Sequence, residues 1–371
     1  MATYSFESIT AVQALGFTAA SDALSFTNAA SHGNQVSVAY APATAGGGPT
    51  VTLTDLNTGR AVVLGATAGG AGMLAADGSA VFVGAGDADR FAGTPQGDGL
   101  FGGAGPDTLS GGAGRDLLQG NQGDDVLDGG PGGDTIFGGQ GDDSVTTGAG
   151  ANFVNGNLGN DTIAGGGDGI ATLLGGQGND SIAGGAGADF LNGNLGDDTI
   201  AGGGGNDTIF GEGGLDQLTL GDDGGRADGG GGVDTLTGGA GADTLTGGAG
   251  ADLLNGRGGG DLFQFSSGDS GVAQSGLDRI VDWTGHLDQI DVLGLAGATR
   301  STYLELTAST YAAAKTLADS QIAAGNNYVA VQVGSDVVLF VDSANNNGGA
   351  DDAVVLVGRT LADIDYTNIV A

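Results

Sequence analysis

At 371 residues the chain has room for two or three domains, and its 82 glycines, with only 5 prolines and no three-residue period, exclude a collagen-like rod. The 44 acidic residues against 9 basic ones give a formal charge of −35. That excludes nucleic acid and disfavours an anionic membrane surface, since both must be met with cations. Cysteine is absent, which removes disulfides, thiolate zinc sites and cysteine nucleophiles.

The opening MATYSFESIT lacks the basic and apolar regions of a Sec signal, and no window reaches the ~18 apolar residues of a membrane span. Neither a Sec leader nor membrane insertion is expected. Residues 1–92 read as a small, mainly β domain. Residues 6–15 place Ile9, Val12 and Leu15 on one face of a short helix. Residues 36–40, 51–56 and 61–64 read as strands, with a hairpin signal at Asn57-Thr58-Gly59. Residues 74–83 add a turn at Asp77-Gly78 and a strand leading onward.

Residues 93–264 repeat one nine-residue unit nineteen times: Gly-Gly-x-Gly-x-Asp-x-U-x, with U a large apolar residue. GGAGPDTLS at 102–110, GGQGNDSIA at 175–183 and GGAGADTLT at 238–246 are examples. The glycines permit positive φ and close backbone approach, so six residues turn and three extend with U inward. Two units then make an eighteen-residue coil with a turn at each edge, and successive coils stack about 4.8 Å apart in two parallel sheets. The core is one side chain thick, glycine is costly to order, and stacked aspartates repel. Carboxylates and glycine carbonyls are hard oxygen ligands, which suit Ca²⁺ better than Mg²⁺.

The unit resembles that of the RTX (repeats-in-toxin) family. The resemblance implies an all-β chain built on a right-handed parallel β-roll. It implies multiple Ca²⁺ ions held between same-edge turns by the repeat aspartates and backbone carbonyls. It also implies secretion by a type I system that reads an uncleaved C-terminal signal. The expected ligands are Asp98, Asp107, Asp116, Asp125, Asp134, Asp143, Asp161, Asp180, Asp189, Asp198, Asp207, Asp216, Asp234, Asp243, Asp252 and Asp261.

Alternate turns share an edge. One edge runs unbroken through Asp107, Asp125, Asp143, Asp161, Asp180, Asp198, Asp216, Asp234 and Asp252. The other is interrupted at Asn152, Ile170 and Gly225, and the unit around Ile170 has ten residues with Asp168 displaced. Position five follows suit: Asp124, Asp142, Asn160, Asn179 and Asp197 lie on the unbroken edge, against Gly133, Ala151, Gly169 and Ala188 on the other. One continuous and one interrupted calcium column are expected.

Residues 265–371 read as a β-rich capping domain carrying the secretion signal. Residues 280–283, 289–293, 328–333, 337–341 and 353–357 are expected strands, and residues 307–324 a helix. Residues 277–295 resemble the stretch that follows the roll in serralysin-type C-terminal domains, and the tail 363–371 looks like a type I signal end. Asp342, Asn345, Asn347 and Asp351 in an acidic loop could hold one more calcium, or simply form a hairpin turn.

No catalytic constellation stands out. His32 and His286 are the two histidines and neither lies in HExxH; no GxSxG occurs, and Gly268-Asp269-Ser270-Gly271 lacks a strand–elbow–helix context. No enzyme is expected. The favoured reading is a secreted, S-layer-like or matrix protein that self-associates once calcium folds it, with a cell-surface glycan as a further partner. The alternative is a secreted enzyme or carbohydrate-binding effector with an RTX stabilising module.

Overall fold

The structure is a computed structural model that describes residues 3–5, 23–27, 35–41, 50–55, 61–65, 71–74, 79–84, 86–299, 301–343 and 349–370, those before residue 79 as backbone only. The helix expected over 6–15 and the turns at Asn57-Thr58-Gly59 and Asp77-Gly78 lie outside them. Two compact units are resolved, Met1–Gly167 and Asp168–Ala371.

In the first unit Thr3–Ser5 runs parallel to Ala23–Thr27, which begins an antiparallel meander with Gln35–Ala41, Thr50–Asp55 and Ala61–Gly65. A hairpin of Ala71–Leu74 and Ala80–Val83 follows, and its second strand pairs in parallel with Gly99–Ala104. From there the chain is a parallel β-solenoid. One sheet stacks Arg90–Ala92, Thr108–Ser110, Val126–Asp128, Ser144–Ala149 and Thr162–Gly166. The other stacks Gly99–Ala104, Leu117–Gln122, Thr135–Gln140 and Phe153–Leu158. The rungs are offset by eighteen residues, save for a shift to seventeen where Ala149 meets Gly166, so U residues sit directly on one another. Leu109 pairs with Leu127, and Leu118 with Ile136, all at most 1% exposed. Each such burial contributes roughly 1.5–3 kcal/mol, repeated at every unit.

The solenoid begins one unit earlier than the sequence pattern suggested. Arg90–Ala92 lies in register with Thr108–Ser110, with Phe91 over Leu109. The sequence there, GAGDADRFA at 84–92, keeps Asp89 and Phe91 but has Ala85 and Asp87 in place of the second- and fourth-position glycines.

The second unit repeats the plan. Ser181–Gly185, Thr199–Gly203, Gln217–Thr219, Thr235–Thr237 and Leu253–Asn255 form one stack. Thr172–Gln177, Phe190–Leu195, Asp207–Gly214, Gly225–Gly232, Asp243–Ala249 and Leu262–Phe265 form the other. Both stacks run on without repeats: Asp278–Ile280 pairs with Leu253–Asn255, and Gln289–Val292 with Leu262–Phe265.

Asp278–Ile280 also pairs with Asp352–Leu356, the first strand of a mixed sheet completed by Asp336–Val341, Tyr328–Val333 and Tyr303–Ala308. The helix α1, Tyr311–Ile322, covers that sheet, with Ala314, Ala318 and Ile322 against Val329, Val331 and Phe340. It starts later than the expected 307–324. Residues 303–308 are taken by a strand, and extended Thr310 caps the helix by accepting from the Ala313 amide. The expected strand over 280–283 is instead Asp278–Ile280. In the tail, Ile369–Val370 pairs with Gln289–Val292.

Candidate calcium-binding edges

Each repeat aspartate closes its turn and is pulled out of water, because the strand that follows it dives inward with U. The sixteen repeat aspartates are all at most 3% exposed. In all but Asp180 and Asp243 the first carboxylate oxygen accepts from the backbone N–H of the residue eighteen earlier. Asp107 accepts from Asp89 at 2.8 Å, Asp125 from Asp107 at 2.7 Å and Asp143 from Asp125 at 2.9 Å. In the second unit Asp198, Asp216, Asp234 and Asp252 accept from Asp180, Asp198, Asp216 and Asp234, each at 2.8 Å. Carboxylates therefore stitch coil to coil.

The second oxygen is different. In Asp107, Asp125, Asp143, Asp161, Asp180, Asp198, Asp216, Asp234 and Asp252, Oδ2 is buried and no hydrogen bond reaches it. These are the nine aspartates of the unbroken edge. A buried anionic oxygen without a donor is costly unless a cation meets it. The surroundings offer only more oxygen. A Cβ at Gly102 would lie 2.2 Å from Asp107 Oδ2 and 2.8 Å from the carbonyl oxygen of Gly120; at Gly138 the corresponding oxygens are Asp143 Oδ2 at 2.3 Å and Gly156 O at 2.8 Å. The glycine at position one is thus required by space: carboxylate and carbonyl oxygens crowd where its side chain would go. Burial, opposed by the amide bond and reinforced by stacked neighbours, pushes Asp107 up to about 7 and Asp143 to about 8.

Among the described residues no three carboxylate or imidazole side chains converge. Each site can therefore draw one or two carboxylates and must take its remaining ligands from backbone carbonyls. That is an oxygen-only donor set with flexible geometry, which fits Ca²⁺.

The other edge is built less uniformly. Asp116, Asp134, Asp189 and Asp207 keep a donor-free Oδ2. In Asp98 that oxygen instead accepts from the amide four residues earlier, Thr94 at 2.5 Å. In Asp243 the oxygens exchange roles: Oδ2 accepts from Gly239 at 2.8 Å and the buried Oδ1 has no donor. Asn152 preserves the stitch, accepting from Asp134 at 2.8 Å. Its amide nitrogen then donates to the carbonyls of Gly150 at 3.1 Å and Gly148 at 3.4 Å, so its own N–H groups face the oxygens.

The ten-residue unit corrects one assignment. Ile170 does not stand at the ligand position: it is 64% exposed, and Ala171 fills the place. Ala171 is buried, and its amide donates to Asp189 Oδ1 at 2.7 Å. The extra residue is absorbed before the aspartate position rather than after it. Gly225 stands opposite Asp207 and brings no side chain.

Position five adds a second ladder on the unbroken edge. Asp124 Oδ1 accepts from Asp142 N at 3.0 Å and Asp142 Oδ1 from Asn160 N at 2.7 Å; Asn179 and Asp197 do the same toward Asp197 and Leu215. These bonds point to the following coil, whereas the position-six bonds point to the preceding one. Gly133, Ala151, Gly169 and Ala188 have no side chain that could do this.

Five stretches, residues 101–136, 128–163, 165–200, 192–225 and 228–263, match the family model of the RTX calcium-binding nonapeptide repeat (4 copies). The array belongs to the RTX calcium-binding repeat family. RTX repeats are calcium-binding and typical of secreted proteins. No curated protein matches the chain. Among solved structures, it is similar to the AlgE6R3 subunit of the Azotobacter vinelandii mannuronan C5-epimerase, with 26% identity over 52% of this chain and 78% of that one and a TM-score of 0.19. It is also similar to the extracellular lipase LipA of Serratia marcescens, with 16% identity over 64% of this chain and 40% of that one and a TM-score of 0.25.

Three RTX-edge aspartates escaped the sequence pattern. Asp89 belongs to the early turn and donates its amide to Asp107. Asp278 and Asp288 lie beyond the array, yet accept from Asp252 N at 2.8 Å and Asp261 N at 3.1 Å. Their spacing from the last repeats is 26 and 27 residues instead of eighteen, which hides them from a nonapeptide scan. The acidic loop is only partly described: Asp342 is buried, while Asn345 and Asn347 lie outside the described residues. Among the described residues no helix is long and apolar enough to cross a membrane.

Proposed function

We propose that this chain is an extracellular calcium-folded structural protein whose RTX array becomes ordered after export and then supports self-assembly at a cell surface. The observation that carries the reading is the row of donor-free, buried carboxylate oxygens along the unbroken edge. Without a divalent cation these anions are both dehydrated and stacked on one another. The sixteen repeat aspartates hold the ions with the carbonyls of their turns, in a complete row on one edge of each unit and with gaps on the other at Asn152, Ala171 and Gly225.

Extracellular calcium modules bind with Kd of about 10⁻⁴ to 10⁻³ M, far above cytosolic free calcium. The array is therefore unfolded before export and folds outside. A site at ten times its Kd adds roughly 1.4 kcal/mol, so a dozen sites dominate stability. Export follows the type I route, with the tail at 363–371 as its signal. A non-catalytic role is favoured by the chain's composition, in which the array is the largest block. Assembly is favoured by a sheet edge: among the described residues one sheet of the first coil ends at Arg90–Ala92, while the other continues through Ala80–Val83 to the antiparallel Ala71–Leu74 strand. An uncovered strand is a template for another chain. A glycan on the coated surface completes the set of partners.

Circular dichroism and electron microscopy with calcium and with excess EGTA test this reading. Expected are loss of most β signal in EGTA, and filaments or sheets only with calcium. An unchanged spectrum in EGTA would overturn calcium folding. A persistent monomer in calcium would overturn assembly.

A further inference from the structure

The unbroken edge does not stop where the repeats stop. Asp278 is fully buried, its Oδ1 accepts from Asp252 N, and its Oδ2 has no donor. Asp252, the last repeat aspartate on this edge, also keeps a donor-free Oδ2. The two carboxylates thus reproduce the relation seen between successive coils. Nothing in the local sequence announces it, since Ala273 stands where a repeat would have its first glycine. The Arg226–Asp228 and Lys315–Asp319 ion pairs involve neither acid.

The segment that delivers Asp278 is fastened to the C-terminal sheet. Its amide donates to Ser270 Oγ at 2.9 Å, and that hydroxyl donates to the Ala353 carbonyl at 2.5 Å. The Ala353 amide donates to Gly271 O at 2.9 Å, and the Gly268 amide reaches both oxygens of Asp352 at 3.0 and 3.1 Å. On the other side, the Gly250 amide of the last coil donates to Asp269 O at 3.3 Å. Strand Asp278–Ile280 lies between Leu253–Asn255 and Asp352–Leu356.

We infer that Asp252 and Asp278 hold a further calcium ion outside the nonapeptide motif, and that this ion locks the C-terminal sheet onto the last coil. The inference rests on the calcium reading of the array. Its consequence is that array and C-terminal sheet fold as one calcium-dependent unit, because the final site is complete only when both are in place.

Asp278→Asn in the full chain is the direct test, since the amide keeps the oxygen that accepts from Asp252 and removes the charge. Bound calcium is counted by elemental analysis after equilibrium dialysis, and hydrogen exchange is followed at residues 352–356. Asp278→Asn should bind about one ion fewer and exchange there about tenfold faster, with the Gln217–Thr219 strand still protected. Asp216→Asn should also lose calcium but leave residues 352–356 protected. A folded Asp278→Asn chain with the wild-type count, or with unchanged exchange at 352–356, overturns the inference while leaving the array reading intact. A wild-type chain that binds no calcium overturns both.

If Asp278→Asn does not fold, Ser270→Ala serves. Trp283, the single tryptophan, is buried and donates to Asp363 O at 2.8 Å, so its emission reports on this region. Ser270→Ala should need several-fold more calcium to reach the buried emission, with the full ion count at saturation. An unshifted midpoint counts against the site.

Discussion

The two edges of the array are made from the same repeat, yet only one keeps a donor-free buried oxygen at every aspartate. On the unbroken edge the structure leaves each Oδ2 for a cation and adds an outer ladder at position five. On the other edge the same place is filled by a local amide at Asp98, by a side-chain amide at Asn152, and by no carboxylate at Ala171 and Gly225. The difference teaches that the repeat tolerates loss of a ligand where protein N–H groups can face the oxygens instead. A coil without its calcium need not come apart if its neighbours hold it.

The sharpest way to break this comparison is through the glycines. Gly211→Ala would place a Cβ 2.3 Å from Asp216 Oδ2 and 2.7 Å from Gly229 O, whereas Gly204→Ala meets nothing closer than 3.6 Å. Denaturation in saturating calcium should show a loss of about 1–3 kcal/mol for the first. The second should stay within about 0.5 kcal/mol. Equal effects would mean that oxygen crowding does not dictate the glycine.

A matched pair of charge removals comes next. Asp216→Asn should raise the calcium needed for half-folding about three- to tenfold, because it empties a position with no protein donor. Asp98→Asn, whose two carboxylate oxygens already accept from the Ala80 and Thr94 amides, should shift the midpoint less than about twofold. Calcium titration followed by circular dichroism measures both, and equal shifts would erase the distinction between the edges.

The reverse experiment restores a ligand. Asn152→Asp removes the N–H groups that face Gly148 and Gly150, so the variant should bind about one calcium more by equilibrium dialysis. An unchanged count would show that the gap has another cause.

The smallest expected effect is on the calcium-free chain. Burial raises the folded-state values of Asp125 to about 6 and Asp143 to about 8, above the ordinary 3.8. A raised folded value means that the folded array holds protons more tightly than the unfolded chain. Its stability without calcium is therefore fully present below pH ~4 and is lost as pH rises through about 6 to 8. In EGTA, strand signal should return in part on acidification from pH 8 to 4; no return would separate folding from carboxylate charge.

Much of the array was legible because its physics is local and periodic. Nine residues with glycines at fixed places force a turn and a strand, and a U residue every ninth position gives the buried stack headed by Leu109, Leu127 and Ile163. The strands at 328–333 and 337–341 were legible for the same reason, as runs of alternating or continuous apolar residues. Less legible were the places where register depends on what lies next door. Ile170 was set at the aspartate position by counting, yet the extra residue bulges outward and Ala171 takes the rung. Residues 307–308 had helical composition but joined a sheet edge because Tyr328–Val333 offered one.

The sequence alone determined the repeat, its two inequivalent edges and the oxygen-only chemistry that asks for calcium. Those follow from residue type and spacing within one coil. Only the tertiary structure decided which oxygens are left without a donor, and that Asp89, Asp278 and Asp288 extend the edges beyond the repeats. A carboxylate's partner is an amide eighteen or more residues away, and insertions of eight or nine residues before Asp278 and Asp288 cancel in space while they destroy the pattern in sequence.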